Sequence, residues 1–117
     1  MTIRVLLVED DVRLADSVMQ YFELQGITVD PCTNGKQATN FLQQSNYDVI
    51  ACDVNMPKMD GLEATLKIRS ESKVPIVALT ANSSRQEEEK CLAIGMNSYL
   101  VKPFKPEELY SKIAKFL

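Results

Sequence analysis

Two hydrophobic rhythms alternate along the chain. Five short apolar runs are bounded by turn-forming residues: IRVLLV (3–8), ITVDPC (27–32), DVIAC (48–52), PIVAL (75–79) and SYLV (98–101). Four of them are nearly continuous in Val, Ile, Leu, Ala or Cys, the pattern of parallel strands covered on both faces. ITVDPC is the exception. Pro31 has no N–H to give to a ladder, so this strand is predicted at a sheet edge.

Between the runs the period becomes helical. Ala15, Val18, Met19 and Phe22 recur at i, i+3, i+4 and i+7 and share one stripe, and Gly26 supplies the expected stop. Ala38, Phe41 and Leu42 form a shorter stripe after Gly35. GLEATLKIRS (61–70) and SSRQEEEKCLAIG (83–95) read as the third and fourth helices. Pro106, Glu107 and Glu108 open a fifth, whose predicted buried face is Leu109, Ile113, Phe116 and Leu117. The outcome is an unbroken βαβαβαβαβα alternation with no linker or repeat. It predicts one α/β domain over residues 1–117, a doubly wound, flavodoxin-like (βα)5 fold with a five-stranded parallel sheet. With the second strand at an edge, the order 2-1-3-4-5 follows. Ligands of such sheets bind beyond the carboxyl ends of the strands, where strands 1 and 3 diverge.

Composition narrows the chemistry. The 117 residues fit one domain with a core of its own. A net charge of −3 gives no electrostatic case for nucleic acid or an acidic membrane surface. No apolar stretch approaches the roughly 20 residues of a membrane span, and the N-terminus is a poor signal peptide, so a cytoplasmic location is expected. Cys32, Cys52 and Cys91 are odd in number, lack a CxxC pair and sit among apolar residues, so they read as small buried hydrophobes. Histidine is absent, which excludes a Ser-His-Asp or Cys-His device, a His-ligated metal and a phosphohistidine on this chain.

The candidate site lies at the strand ends. Strand 1 runs into Glu9-Asp10-Asp11, strand 3 into Asp53, strand 4 into Thr80 and strand 5 into Lys102. Singly these have plain structural roles: Asp11 as a helix cap, Thr80 as a helix entry, Lys102 as a snorkelling side chain. Together they do not. Two carboxylates about 4 Å apart at a partly buried rim repel by roughly 4 kcal/mol at an effective dielectric near 20. Glu9, Asp10 and Asp53 against Lys102 alone leave two negative charges, which a divalent cation would balance. The available ligands are all oxygens, a set that selects Mg2+ or Mn2+. Mg2+ with few protein ligands commonly also holds a phosphate oxygen, for which Thr80 and Lys102 are suitable donors. Phosphoryl transfer onto an aspartate is the reaction this chemistry suggests.

LLVEDD, DVNMPKMDG, ALTA and SYLVKPF, in this order and spacing, resemble the receiver domain of two-component response regulators over essentially the whole chain. LTAN and GMNSYLVKPF are most similar to receiver modules of hybrid sensor kinases and phosphorelays, as a stand-alone protein or as part of a longer one. The resemblance implies that Asp53 is the phosphoacceptor and that Asp10 binds Mg2+ directly, with Glu9 acting through water and Asn55 through its backbone carbonyl. Lys102, before a cis Pro103, would pair with Asp53 and then with the phosphoryl group. Thr80 would bind a phosphoryl oxygen, and Tyr99 would be the switch aromatic. The implied partners are a histidine kinase or a histidine-phosphotransfer protein, with the domain catalysing its own phosphorylation and dephosphorylation as a monomer or weak dimer. Asn97 stands where the family often has an acid, and Asn55 and Asn82 hold positions that tune phosphoryl lifetime. Two other readings of the fold remain: a phosphorylation-independent interaction module, and an FMN-binding electron carrier. The second lacks a Ser/Thr/Gly-rich phosphate loop after strand 1.

Overall fold

In the computed structural model, the structure describes residues 2–55, 66–70 and 72–117. The strands are β1 (Ile3–Val8), β2 (Ile27–Cys32), β3 (Val49–Asp53), β4 (Ile76–Thr80) and β5 (Ser98–Val101). The helices are α1 (Val12–Leu24), α2 (Gly35–Gln44), α3 (described at 66–69), α4 (Arg85–Ala93) and α5 (Pro106–Ala114). All neighbouring strands pair in parallel, in the predicted order β2-β1-β3-β4-β5, with the proline-bearing β2 at one edge. The first five residues of the predicted third helix, and the turn at 56–61 before it, lie outside the described residues.

The unbroken apolar runs have a simple cause. Successive strand residues point to opposite faces, and both faces carry helices. Val5 and Leu7 of β1, Val49 and Ala51 of β3, and Val77 and Leu79 of β4 pack with Ala15, Val18 and Phe22 of α1 and Leu109 and Ile113 of α5. Leu6, Val8, Ile50, Cys52, Ile76 and Ala78 face the other way, towards Ala38 of α2, Ile68 of α3 and Cys91 of α4. All three cysteines are buried, as their apolar neighbours predicted.

Asp11 caps α1, its side chain accepting from the N–H groups of Arg13 and Leu14, and Gly26 follows the helix with a φ of +77°. In the predicted face of α5, Leu109 and Ile113 are fully buried and Phe116 packs partly against the core. Leu117 does not join them. It lies beyond the last helical turn and is 50% exposed.

Two strands sit one residue later than their apolar runs suggest. Pro75 cannot donate to the ladder, so β4 begins at Ile76, and Asp48 meets Arg4 of β1 with its backbone N–H donating to Arg4 O and its side chain accepting from Arg4 N, each at 2.9 Å. At the other end Asp53 pairs with Leu79 and Thr80 with Val101, so both polar residues are the last rungs of the sheet.

Asn97 has a definite structural role. Its Oδ1 accepts from Ile76 N at 2.9 Å and from Arg69 Nη2 at 2.6 Å, while Arg69 Nε donates to Gly95 O at 2.8 Å. These bonds pin α3 and the start of β4 to the turn before β5, where Gly95 has a φ of +110°. Replacing Asn97 by Ala removes an acceptor shared by two donors and should cost about 1–3 kcal/mol in urea unfolding. Asn97→Asp keeps the acceptor and charges the contact with Arg69, so it should unfold no more easily than the wild type.

Candidate functional site

Parallel strands carry their carboxyl ends to one rim, and an apolar strand tolerates polar side chains only there. Glu9 follows β1 directly, with its N–H bonded to Cys32 O at 2.9 Å, and its side chain is buried although it is an acid. Asp53 closes β3 and is equally buried, while Asp10 is exposed. One carboxylate oxygen from each of Glu9, Asp10 and Asp53 lies within 4.8 Å of the others.

Lys102 enters this group from β5. Its backbone N–H donates to Thr80 O at 2.7 Å, the peptide to Pro103 is cis, and Nζ lies 3.0 Å from Asp53 Oδ2. Nζ also stands 2.5 Å from Glu9 Oε1 as an ion pair without hydrogen-bond alignment. Glu9 Oε1 is the one buried side-chain oxygen among the described residues that receives no hydrogen bond. The other Glu9 oxygen accepts from Asp11 N at 3.1 Å, and Asp53 Oδ1 accepts from Asn55 N at 2.8 Å.

Charge in this cluster is unbalanced. Burial above all pushes Glu9 up to about 7, with Asp53 adding to the rise, and Lys102 and the Asp11 N–H only partly oppose it. Burial pulls the Lys102 ammonium down, but its close contacts with Glu9 and Asp53 and the attraction of their charges outweigh it, so its pKa lies above the ordinary lysine value. One ammonium does not satisfy two buried carboxylates with a third beside them. The Glu9 oxygen that receives no hydrogen bond, the all-oxygen donor set and the solvent access at Asp10 fit a hard divalent cation that keeps part of its water.

The remaining sequence-predicted residues lie around this cluster. Thr80 is fully buried at the end of β4, and its Oγ1 accepts from Asn82 N at 3.0 Å, within its own loop. Tyr99 is half-buried on β5, on the face shared with Cys91. The Glu88 carboxylate of α4, chiefly through its charge, raises its phenolic pKa. Sequence reasoning missed the side chain of Asn55: its Oδ1 accepts from Ala81 N at 2.9 Å, joining the ends of β3 and β4. The only available signal was an amide two residues past a strand-end acid.

Comparisons with known proteins agree with this geometry. The family model described as "Response regulator receiver domain" matches residues 5–114. Hybrid signal transduction histidine kinase B of Dictyostelium discoideum is 36% identical across 96% of the chain, which spans 6% of that protein. Transcriptional regulatory protein ResD of Bacillus subtilis is 32% identical across 97% of the chain, covering 48% of its own length. The chain thus spans about half or less of these curated relatives. Among solved structures, the chemotaxis response regulator CheY4 of Vibrio cholerae superposes over the full length of both chains with a TM-score of 0.93 and 32% identity. The receiver domain of sensor histidine kinase PA1611 from Pseudomonas aeruginosa has a magnesium ion coordinated in its active-site cleft. It matches 99% of this chain and 98% of its own with a TM-score of 0.88 and 36% identity. With the family model spanning nearly every element of the sheet, the chain belongs to the response regulator receiver domains of two-component signalling.

Proposed function

We propose that Asp53 accepts a phosphoryl group from a phosphohistidine on a histidine kinase or histidine-phosphotransfer protein, in a Mg2+-dependent reaction. The observation that carries this reading is Asp53 itself, a buried strand-end carboxylate with Lys102 Nζ at 3.0 Å and two further acids beside it. Asp10, Glu9, Asp53 and the backbone carbonyl of Asn55 are the groups that would hold the metal. Bound there, Mg2+ (or Mn2+) supplies positive charge against phosphoryl oxygens.

A carboxylate oxygen of Asp53 forms the new O–P bond while the P–N bond to the donor imidazole breaks and its electron pair returns to nitrogen. Lys102 neutralises oxygen charge on the transferring group and holds Asp53 in line for attack. The product carries about −1.5 to −2 where the carboxylate carried −1. That added charge draws Lys102 and the Thr80 hydroxyl towards it, and the loop ahead of α4 follows. α4 is suited to moving, since Cys91 is its one buried residue. Tyr99, packed beside α4, is the aromatic that would report the change. The described residues contain no helix long and apolar enough to cross a membrane, and the site of action in this proposal is the cytoplasm.

Intact mass after acetyl phosphate treatment tests the reaction. Wild type should gain one phosphate only with Mg2+ present, and Asp53→Asn should gain none. An unmodified wild type would favour a phosphorylation-independent interaction module on the same fold. Tyrosine signals should also change when beryllofluoride binds with Mg2+, and Tyr99→Phe identifies the ring responsible.

The raised pKa of Glu9 has its own consequence in the metal-free protein. Its folded value near 7 lies above the ordinary 4.5, so ionised Glu9 costs stability above pH 7. The cost disappears as pH falls from about 7 towards 4.5. Glu9→Gln should therefore raise metal-free stability at pH 8 by about 1–3 kcal/mol, with little gain near pH 4.5, as read from urea unfolding. Stabilisation of the wild type by Mg2+ should grow from pH 6 to pH 8, and the Gln variant should lose that growth.

A further inference from the structure

The parallel register sets Thr80 and Ala81 just past Asp53, because Asp53 pairs with Leu79 and Val54 N donates to Leu79 O at 2.9 Å. Several donors and acceptors at this corner are already engaged within the protein. Asn55 N–H is on Asp53 Oδ1, Ala81 N–H is on Asn55 Oδ1, and Thr80 Oγ1 takes Asn82 N–H. Asn82 Oδ1 in turn accepts from Ser84 N at 2.9 Å, and Ser84 caps α4. One chain of contacts thus runs from the acceptor aspartate to the start of the weakly anchored helix, and the Asn55 side chain carries it from the end of β3 to the loop after β4.

We propose that Asn55 is a positioning residue: through Ala81 N–H it latches the β4–α4 loop in its resting place, and so sets the threshold at which that loop closes on a phosphoryl group. The inference rests on the phosphoacceptor reading of Asp53. A phosphoryl group brings acceptor oxygens to a corner where the first backbone N–H past β4, that of Ala81, is already bonded to the Asn55 amide oxygen. Closure must exchange that bond for a new one. A contact made only in the resting position lowers the apparent affinity for anything that needs the closed one. Both residues are exposed, so water competes and the latch is a modest restraint.

Hydrogen exchange and beryllofluoride titration together test this. In the metal-free protein the Ala81 amide should exchange several-fold faster in Asn55→Ala than in wild type. Asn55→Asp, which keeps an acceptor oxygen at the same reach, should restore its protection. With Mg2+ present, Asn55→Ala should bind beryllofluoride about two- to fivefold more tightly, the worth of one exposed hydrogen bond. A residue that merely supported the loop would give the opposite result, weaker binding. Unchanged exchange at Ala81 overturns the latch, as does faster exchange with unchanged or weaker beryllofluoride binding. If wild type itself fails to bind beryllofluoride, the phosphoacceptor reading falls and the threshold with it.

Discussion

Two buried carboxylates share one ammonium, and the functional end of the molecule is organised around that shortage of positive charge. Glu9 and Asp53 both meet Lys102 Nζ, yet Glu9 keeps an oxygen without a hydrogen bond and titrates near 7. A protein interior does not ordinarily retain an acid in this condition, because burying a charge that a shared ammonium only partly balances is among the costlier things a fold can do. The sheet makes it possible. Parallel strands covered on both faces hold the chain rigidly up to Asp53 and Thr80, so the last rungs can carry groups that repel one another without the ladder opening. Stability from the apolar layers sustains local electrostatic strain at the rim, and that strain is what a bound cation would relieve.

The legible part of this arrangement was the part written in periodicity. Near-continuous apolar runs identified strands with two covered faces, Pro31 put β2 at an edge, and that single placement ordered the sheet. Once the order was known, the rim and its acids followed from topology. Contacts made by side chains across distant stretches left no periodic trace. Asn97 accepting from Ile76 and Arg69, and Asn55 accepting from Ala81, join residues 21 to 28 apart in sequence. An amide in a loop looks the same on paper whether or not a backbone N–H sits opposite it. Leu117 failed for a related reason: the helical stripe continued on paper past Ala114, but the helix did not.

The one-residue shift of β3 and β4 matters more than its size suggests. Apolar character ends at Cys52 and Leu79, which places Asp53 and Thr80 in loops if strands are read from hydrophobicity alone. In the structure they are paired, with Asp53 opposite Leu79 and Thr80 opposite Val101. A carboxylate on a sheet rung is held by backbone hydrogen bonds rather than by a loop, and such fixed positioning is what the proposed in-line transfer would demand.

Rigidity and mobility therefore meet at a single peptide bond. Thr80 is wholly buried and laddered, whereas Ala81 is exposed and its N–H is tied back to Asn55. Beyond it, α4 commits just Cys91 to the core and caps itself with Ser84, so it resists displacement less than α1, which commits Ala15, Val18 and Phe22. Charge added at Asp53 would act on a boundary with an immovable side and a loosely held side, and the displacement must fall on the loose one. The direction of a response then follows from where apolar contacts are spent along the chain, and no long pathway through the core is required to carry it from the acid cluster to the α4–β5 face.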